Sequence, residues 1–575
     1  MTLFPLEPYA GTRPGSVTRA TAIYGVHAYH TKVPVEAIEP FILQHSRPGD
    51  VVLDPFCGSG MTGLAALRLG RRALLSDLSP AAVHIARNYV RPGSPRLFTD
   101  AVARVDLQVQ RERQNLYSTT CHACGGSAET AYVVWSDVRI CPHCRQELCV
   151  WEHRDAGLRQ LRCSGCGNSS AKANWRISGE APVAIAIDCG QCGRLHRDPV
   201  SSDLAGAQVD PAAIPYWYPR IPFGPSRPMW RASHSELGIT AVADFFSGRN
   251  LRGLAALWAA IRDEPTDRSR AALAFAFTAI VNRASRRYQW NPKRPTNVLG
   301  GTLYVSSLRY EFNVFGLWRR KAAAVRRLLH QTADLAGGDA TVAQASATQL
   351  PYPSESVDYC FTDPPFGANI VYSDCSLLWE AWLDDLTPTD REAVISPRGK
   401  TLDDYAQLMS QSFGEVHRVL KPHALATVVF QNTDLAVWEA ILDAAVEAGF
   451  NIEAVEVLHK RQPSFKGVKA QLSGERVAAS DIVMTIRRAT PGGKRTALRT
   501  DYAPVWAALR QELVRDNLSP RERSTGHLYA VTIAAAIRHG LPTTSITFES
   551  LREWLKDNCV VGAGGWSLLG ESIGV

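Results

Sequence analysis

The run Val51-Val52-Leu53-Asp54-Pro55-Phe56-Cys57-Gly58-Ser59-Gly60 constrains the fold more than any other part of the chain. A short apolar strand breaks into a glycine turn, and helical apolar spacing takes over from Gly63 to Leu69. Glycines at such a junction let the backbone pass close to a nucleotide-like ligand, with the free N–H groups of the helix start pointing at it. A second segment about 300 residues later, Asp363-Pro364-Pro365-Phe366, closes the strand Val357 to Thr362. It presents a carboxylate, two rigid prolines and an aromatic ring.

Alternating strands and helices fill residues 20–100 and resume near Thr341-Val342-Ala343. Further apolar strands lie at Val357–Thr362, Ala424–Phe430, Ile452–Leu458 and Ile482–Ile486, with helical spacing at Leu402–Leu420 and Trp438–Ala448. Repeated units of this kind predict an α/β fold, a Rossmann-like, doubly wound parallel sheet. An insertion of roughly 240 residues, too long for a plain loop, interrupts it. The expected organisation is a first half of the sheet domain at 1–110, a cysteine-paired region at 111–200 and a basic helical region at 201–330. The second half follows at 331–490, and a small helical region at 491–575. Composition agrees with several soluble domains: 575 residues, 45% hydrophobic, no apolar run near membrane length and no signal-peptide pattern at Met1-Thr2-Leu3-Phe4-Pro5. A cytoplasmic protein without membrane contact is expected.

Eight of the thirteen cysteines form four Cys-x-x-Cys pairs: Cys121/Cys124, Cys141/Cys144, Cys163/Cys166 and Cys189/Cys192. Tetrahedral thiolate ligation needs two tight knuckles brought together, and glycines after Cys124, Cys166 and Cys192 permit the turns. Two structural Zn²⁺ ions are therefore expected, closed by four sulfurs each. Chain order pairs the first knuckle with the second and the third with the fourth, although interleaving satisfies the same chemistry. Such ribbons either contact a partner or only support the insertion.

The net charge of +8 is modest, but it is unevenly spread. Between Arg283 and His330 eleven Lys/Arg face one acid, Glu311. Arg283, Arg286 and Arg287 recur at helical spacing beside Tyr288 and Trp290, with Lys293 and Arg294 beyond. Arginines interleaved with aromatics suit phosphate contact and base stacking, the alternative being a solvated helix face. Arg461, Lys466 and Lys469 form a weaker second patch.

The two motifs together resemble those of S-adenosylmethionine-dependent amino-methyltransferases. The longer strings Asp363-Pro364-Pro365-Phe366-Gly367-Ala368-Asn369-Ile370 and Tyr372-Ser373-Asp374 are similar to adenine-specific DNA methylases carrying an inserted zinc ribbon. That resemblance covers residues 20–100 and 340–490. It implies that Asp54, Phe56, Gly58 and Gly60 face the methionine end of the cofactor, that Lys32 in His30-Thr31-Lys32-Val33-Pro34 holds its carboxylate, and that Ser346 lines the adenine. Asp77, nearly 20 residues beyond the glycines, is placed to bind the ribose hydroxyls; a helix N-cap is the plainer reading. Asp363, Pro364, Pro365 and Phe366 become the catalytic group, the carboxylate and the Pro364 carbonyl accepting from the target amine while Phe366 stacks on an extruded base.

The implied reaction is methyl transfer to N6 of an adenine flipped from duplex DNA. Alternatives are cytosine N4, an RNA base amine, or a non-catalytic zinc-dependent DNA-binding protein. A place in restriction-modification or phage defence is implied by the resemblance alone. Phe366 departs from the usual Tyr, and Leu420-Lys421-Pro422-His423-Ala424 lacks the Gly-Gly that often follows the proline. No cysteine follows a proline, as cytosine C5 chemistry requires, so Cys57 reads as a small turn-filling residue.

Overall fold

In the computed structural model the described residues are 22–154, 159–291 apart from 205 and 208, 298–459 apart from 336, 397–398, 431 and 433, 480–489, and 501–569 apart from 516–517, 521 and 563–564. Seven strands form one sheet in the spatial order 340–344, 72–77, 51–54, 357–362, 420–430, 480–488, 450–459. Six coincide with the apolar runs named above, and Arg72–Asp77 falls in the strand–helix alternation expected over residues 20–100. Numbered along the chain the order is 3-2-1-4-5-7-6, the dinucleotide-fold order with one extra strand slipped between the fifth and sixth. The first five are parallel, whereas Ser480–Arg488 runs antiparallel to both neighbours. The sheet is therefore mixed, a correction to the all-parallel expectation. Period-two apolar runs fit either direction, so strand sense was not legible.

Successive residues of the central strands feed opposite cores, as strand geometry requires. Val52, Tyr359 and Phe361 join one apolar cluster, while Leu53, Cys360 and Val428 join the other. Three helices of the insertion, Gly248–Arg262, Asp267–Ala284 and Val314–Gln331, bury their apolar faces in the first cluster together with helices Met61–Arg68 and Pro80–Val90. Much of residues 201–330 thus belongs to the helical layer of the sheet. The C-terminal helices Ala503–Leu513, Thr525–Arg538 and Phe548–Asn558 cover the second cluster.

The cysteine-paired region is built on two long antiparallel strands, Ser127–Ile140 and Arg176–Cys189, in register from Ala128↔Cys189 to Ile140↔Arg176. Strand Leu308–Phe312 joins one edge and Gly193–Arg197 the other. No helix among the described residues is long and apolar enough to cross a membrane.

Candidate active site and metal centres

Register brings the two sequence motifs together. Strands Val51–Asp54 and Val357–Thr362 lie side by side and parallel, Val52 opposite Tyr359 and Leu53 opposite Cys360. Their carboxyl ends, with those of Arg72–Asp77 and Ala340–Gln344, open on one cleft of about 1000 Å³ at the point where strand order reverses. Open α/β sheets bind ligands at this place.

Asp54 lines the cleft at 4% exposure and accepts from Thr62 Oγ1 (2.6 Å), Thr362 Oγ1 (3.1 Å) and the Phe56 amide (3.2 Å). Asp77 accepts from the amides of Gly58 (2.8 Å) and Ser79 (2.9 Å), which fixes the glycine turn. Burial raises the Asp54 pKa to about 7 and that of Asp77 to about 6 against these hydrogen bonds. Gly58 has φ +49°, and a Cβ there would sit 2.6 Å from Cε1 of Tyr29, so the close approach requires glycine. Phe56, Ser346, Ala347, Asp363 and Pro365 also line the cleft. The loop after Asp363 is pinned from outside: Tyr405 Oη donates to the Pro365 carbonyl (2.7 Å), and Asn432 Nδ2 to that of Phe366 (2.9 Å).

Several expected residues lie elsewhere. Lys32, 6% exposed, turns its ammonium to the carbonyls of Tyr24 (3.0 Å) and His27 (3.4 Å) and to Tyr89 Oη (2.8 Å), and burial lowers its pKa to about 7. Its neighbours Thr31 and Val33 line the cleft instead, and the cation among the lining side chains is Arg391. Gly60, at φ +77°, caps helix Met61–Arg68, and a Cβ there would meet Ala86 at 2.7 Å; it serves helix packing rather than the cleft wall. Pro364 is buried outside the lining, and Phe366 sets its ring edge-on to Phe430 (5.6 Å, 63°) against the second core. Cys57 is 6% exposed and burial pushes its thiol far up, which suits turn filling.

The cleft also contains groups the sequence reading gave no role: Tyr29, Tyr372, Arg391 and Glu392. Tyr372 follows Asp363 by nine residues at the start of helix Tyr372–Leu383, and burial with the nearby Asp363 carboxylate raises its pKa. Glu392 accepts from the Ser373 amide (2.9 Å) and hydroxyl (2.6 Å), tying the loop at 387–393 to that helix. Asp374 in the same turn is ion-paired to Arg227 of the insertion (3.0 Å) and accepts from the Met229 amide (2.8 Å). The only advance signal was the string Tyr372-Ser373-Asp374 itself.

Residues 8–88 match the family model described as DNA methylase. The match covers 81 of the chain's 575 residues. It takes in the glycine turn and Asp77. Similar curated proteins include type II methyltransferase M.MjaII of Methanocaldococcus jannaschii (34% identical over 62 residues, 11% of this chain and 12% of that protein). Type II methyltransferase M2.DpnII of Streptococcus pneumoniae is 42% identical over 74 residues (13% and 27%), and DNA adenine methyltransferase YhdJ of Escherichia coli is 34% identical over 98 (16% and 31%). The chain thus spans between 12% and 31% of the length of these relatives. Among solved structures, a 16S rRNA (adenine(1408)-N(1))-methyltransferase from Catenulisporales acidiphilia aligns at 14% identity and TM-score 0.17, covering 30% of this chain and 74% of that one.

Outside the segment matched to the methylase family, the cysteines gather into two tetrads, and the pairing interleaves. Cys121, Cys124, Cys189 and Cys192 form one cluster, and Cys141, Cys144, Cys163 and Cys166 the other. This corrects the pairing in chain order. Antiparallel pairing of Ser127–Ile140 with Arg176–Cys189 puts the first knuckle beside the last and leaves the middle two at the opposite end. Sγ separations of 3.7 Å (Cys124–Cys189), 3.8 Å (Cys141–Cys166) and 3.5 Å (Cys144–Cys163) compare with a tetrahedral edge of about 3.8 Å for Zn–S bonds of about 2.3 Å. The residue after each second cysteine is left-handed: Gly125, Gly167 and Gly193 at φ 72°, and Arg145 at 66°. The donor set and spacing fit a four-coordinate metal.

The basic stretch needs a second correction. Helix Asp267–Ala284 stops before extended Ser285 (φ −84°, ψ 161°), so Arg283, Arg286 and Arg287 share no helix face. Arg287, 4% exposed, donates to Asn282 Oδ1 (2.6 Å) and to the carbonyls of Leu299 and Thr302. Arg286 pairs with Glu180 (2.9 Å) and donates to the carbonyls of Leu237 and Asp244. Both organise the insertion internally, while Arg283 alone is exposed. Lys293, Arg294, Arg461, Lys466 and Lys469 lie outside the described residues.

Proposed function

We propose that this chain transfers a methyl group from S-adenosylmethionine to the exocyclic N6 amine of adenine in DNA, the base being flipped into the cleft. The observation that carries the reading is the convergence of Asp54, Asp77 and Asp363 on one cleft at the switch point of the sheet. S-adenosylmethionine supplies an electrophilic methyl on a positively charged sulfur. Asp77 would take the ribose hydroxyls, Ser346 and Ala347 would lie along the adenine, and the main chain at Gly58 would allow close approach. Arg391, in place of Lys32, is the cation available to the carboxylate. Buried acids with raised pKa values are what a cationic ligand stabilises in ionised form. Asp363 would accept an N–H bond of the target amine and help free its lone pair, a fixed acceptor needing no reorganisation, while Pro364, outside the lining, would act by holding the backbone on which Asp363 stands. Tyr29 and Tyr372 offer aromatic faces in place of Phe366. Because the same geometry serves cytosine N4, that base is the second substrate to test.

The two tetrads would each hold a structural Zn²⁺, and the ranges 1–110, 111–200, 201–330, 331–490 and 491–575 serve as working boundaries. A tritiated-methyl assay across duplex DNA, single-stranded DNA and RNA, with digestion to nucleosides, tests the reading. N6-methyladenine in duplex DNA is the expected product. Label confined to RNA, or none with any substrate, would overturn it.

Cofactor affinity should depend on pH in a defined direction. Raised carboxyl pKa values mean the folded protein binds protons more tightly than the unfolded chain. Their contribution to stability is therefore lost as pH rises from about 4 to about 7. A cation reverses this preference, so S-adenosylmethionine affinity should climb between about pH 5 and about pH 8 and then level off. Calorimetry should find a shallower slope for S-adenosylhomocysteine, which lacks the sulfonium charge; equal slopes would remove Asp54 and Asp77 from the cation site.

A further inference from the structure

Beyond the cleft, the inserted sheet carries an aromatic face. The segment 288–290 adds alongside Leu308–Phe312 through Tyr310 N to the Tyr288 carbonyl (2.8 Å) and Trp290 N to that of Leu308 (3.0 Å). Phe312 lies opposite Tyr132, Tyr132 opposite Ala186, and Ala186 opposite His196, so these residues occupy one face across four strands. Tyr310 shares that face two residues from Phe312. The rings form a continuous ladder: Tyr288–Phe312 4.9 Å, Phe312–Tyr310 5.0 Å and Tyr310–Tyr132 5.1 Å between centroids. All four are half-buried, Phe312 packing in part against the first apolar cluster.

Arginines rim this ladder. Arg194 stands two residues before His196 on the same face, pairing with Asp188 (2.8 Å). Arg283 ends the helix that leads into Tyr288 and is exposed; Arg320 lies on the helix that follows Phe312 and is also exposed. Neither Arg283 nor Arg320 has an ion-pair partner among the described residues. Burial and then the like charges of Arg194 and Arg283 depress the Arg320 pKa, with the Asp188 carboxylate acting against them, so both arginines stand within electrostatic reach of Arg320. Three arginines share the single carboxylate of Asp188 beside these half-exposed rings, and a polyanion relieves the remaining repulsion. Next to Arg320, Lys321 donates to the Val26 carbonyl (2.5 Å), in the segment that continues to Tyr29 and Thr31 of the cleft.

We propose that this face binds a nucleic-acid strand, bases stacking on Tyr288, Tyr310, Phe312 and Tyr132 and phosphates pairing with Arg194, Arg283 and Arg320. The identity of that strand as DNA rests on the function proposed above. The platform, rather than the internally bonded Arg286 and Arg287, is then the insertion's contact with substrate. Aromatic stacking is sequence-tolerant while arginine contacts release counterions, so the two parts have separable signatures.

The test is fluorescence anisotropy of full-length zinc-loaded protein with a labelled duplex and a labelled single strand across a salt series. Arg283→Glu with Arg320→Glu should weaken binding at least about tenfold and lower the salt slope by about two ions. Tyr288→Leu with Tyr310→Leu should weaken single-strand binding about 5- to 100-fold with the slope unchanged. A greater loss for the duplex than for the single strand would assign the platform to duplex backbone, the reverse to displaced strand. Unchanged S-adenosylmethionine affinity and metal content show that each variant is folded. Folded variants with wild-type affinity and slope, in a protein that still methylates DNA, overturn the platform alone. Wild-type protein that binds no nucleic acid overturns both proposals.

Discussion

Asp363→Ala is expected to reduce methyl transfer by about 10²- to 10³-fold while changing cofactor affinity by less than about twofold, on the scale seen when one preorganised polar group is removed from a reacting centre. The carboxylate follows strand Val357–Thr362 and lines the cleft, whereas Asp54 and Asp77, the acids proposed to face the cofactor, sit on two other strands. The loop keeps its shape without it. Two prolines restrict the backbone, and Tyr405 and Asn432 hold the next two carbonyls from outside. Asp363→Asn should fall between wild type and Asp363→Ala, because the amide keeps a carbonyl oxygen that can accept from the amine but loses the negative charge. Single-turnover assays with calorimetry on the same preparations read both quantities. Retained turnover, or cofactor binding lost with the carboxylate, would take Asp363 out of this role.

Metal counting should separate the two ways of pairing four knuckles. Wild-type protein is expected to hold about two Zn²⁺, from four thiolates per ion. Cys121→Ser with Cys189→Ser removes two ligands of one tetrad and should leave about one. Cys121→Ser with Cys141→Ser damages both tetrads and should leave almost none. Pairing in chain order reverses these two results. Structural zinc sites carry apparent binding energies of about 10–16 kcal/mol, so chelation should unfold the ribbon ends, whereas the large sheet uses none of these cysteines.

What could be read in advance was local and periodic. Each sheet strand announced itself as an apolar run, and Gly58 and Asp77 stand where a glycine turn and the end of the next strand put them. Cysteine spacing gave the knuckles but not their partners, since the strands at 127–140 and 176–189 settle that by pairing antiparallel. Helical spacing continued through Arg286 and Arg287, but the helix ends at Ala284 and tertiary contacts absorb both guanidinium groups. Lys32 illustrates the same limit: Tyr89, 57 positions away, captures its ammonium. Tyr29, Arg391 and Glu392 carry no local pattern and reach the cleft only through packing.

The split sheet has a consequence for biogenesis. Val52 pairs with Tyr359, yet the strand holding Tyr359 leaves the ribosome about 300 residues later, on the order of 15–60 s at 5–20 residues per second. Until then Val51–Asp54 has an unmatched edge, a template for misassociation. The intervening chain is positioned to shorten that search. Its entry and exit meet where Tyr117 Oη accepts from the Val314 amide (3.3 Å) and Asn313 N donates to the Ala131 carbonyl (3.0 Å). Once the inserted ribbon has closed, the two halves emerge side by side, and a long-range pairing becomes nearly a local one. Metal supply during synthesis would then govern the yield of native protein through the order of assembly, even though none of the eight tetrad cysteines lines the cleft.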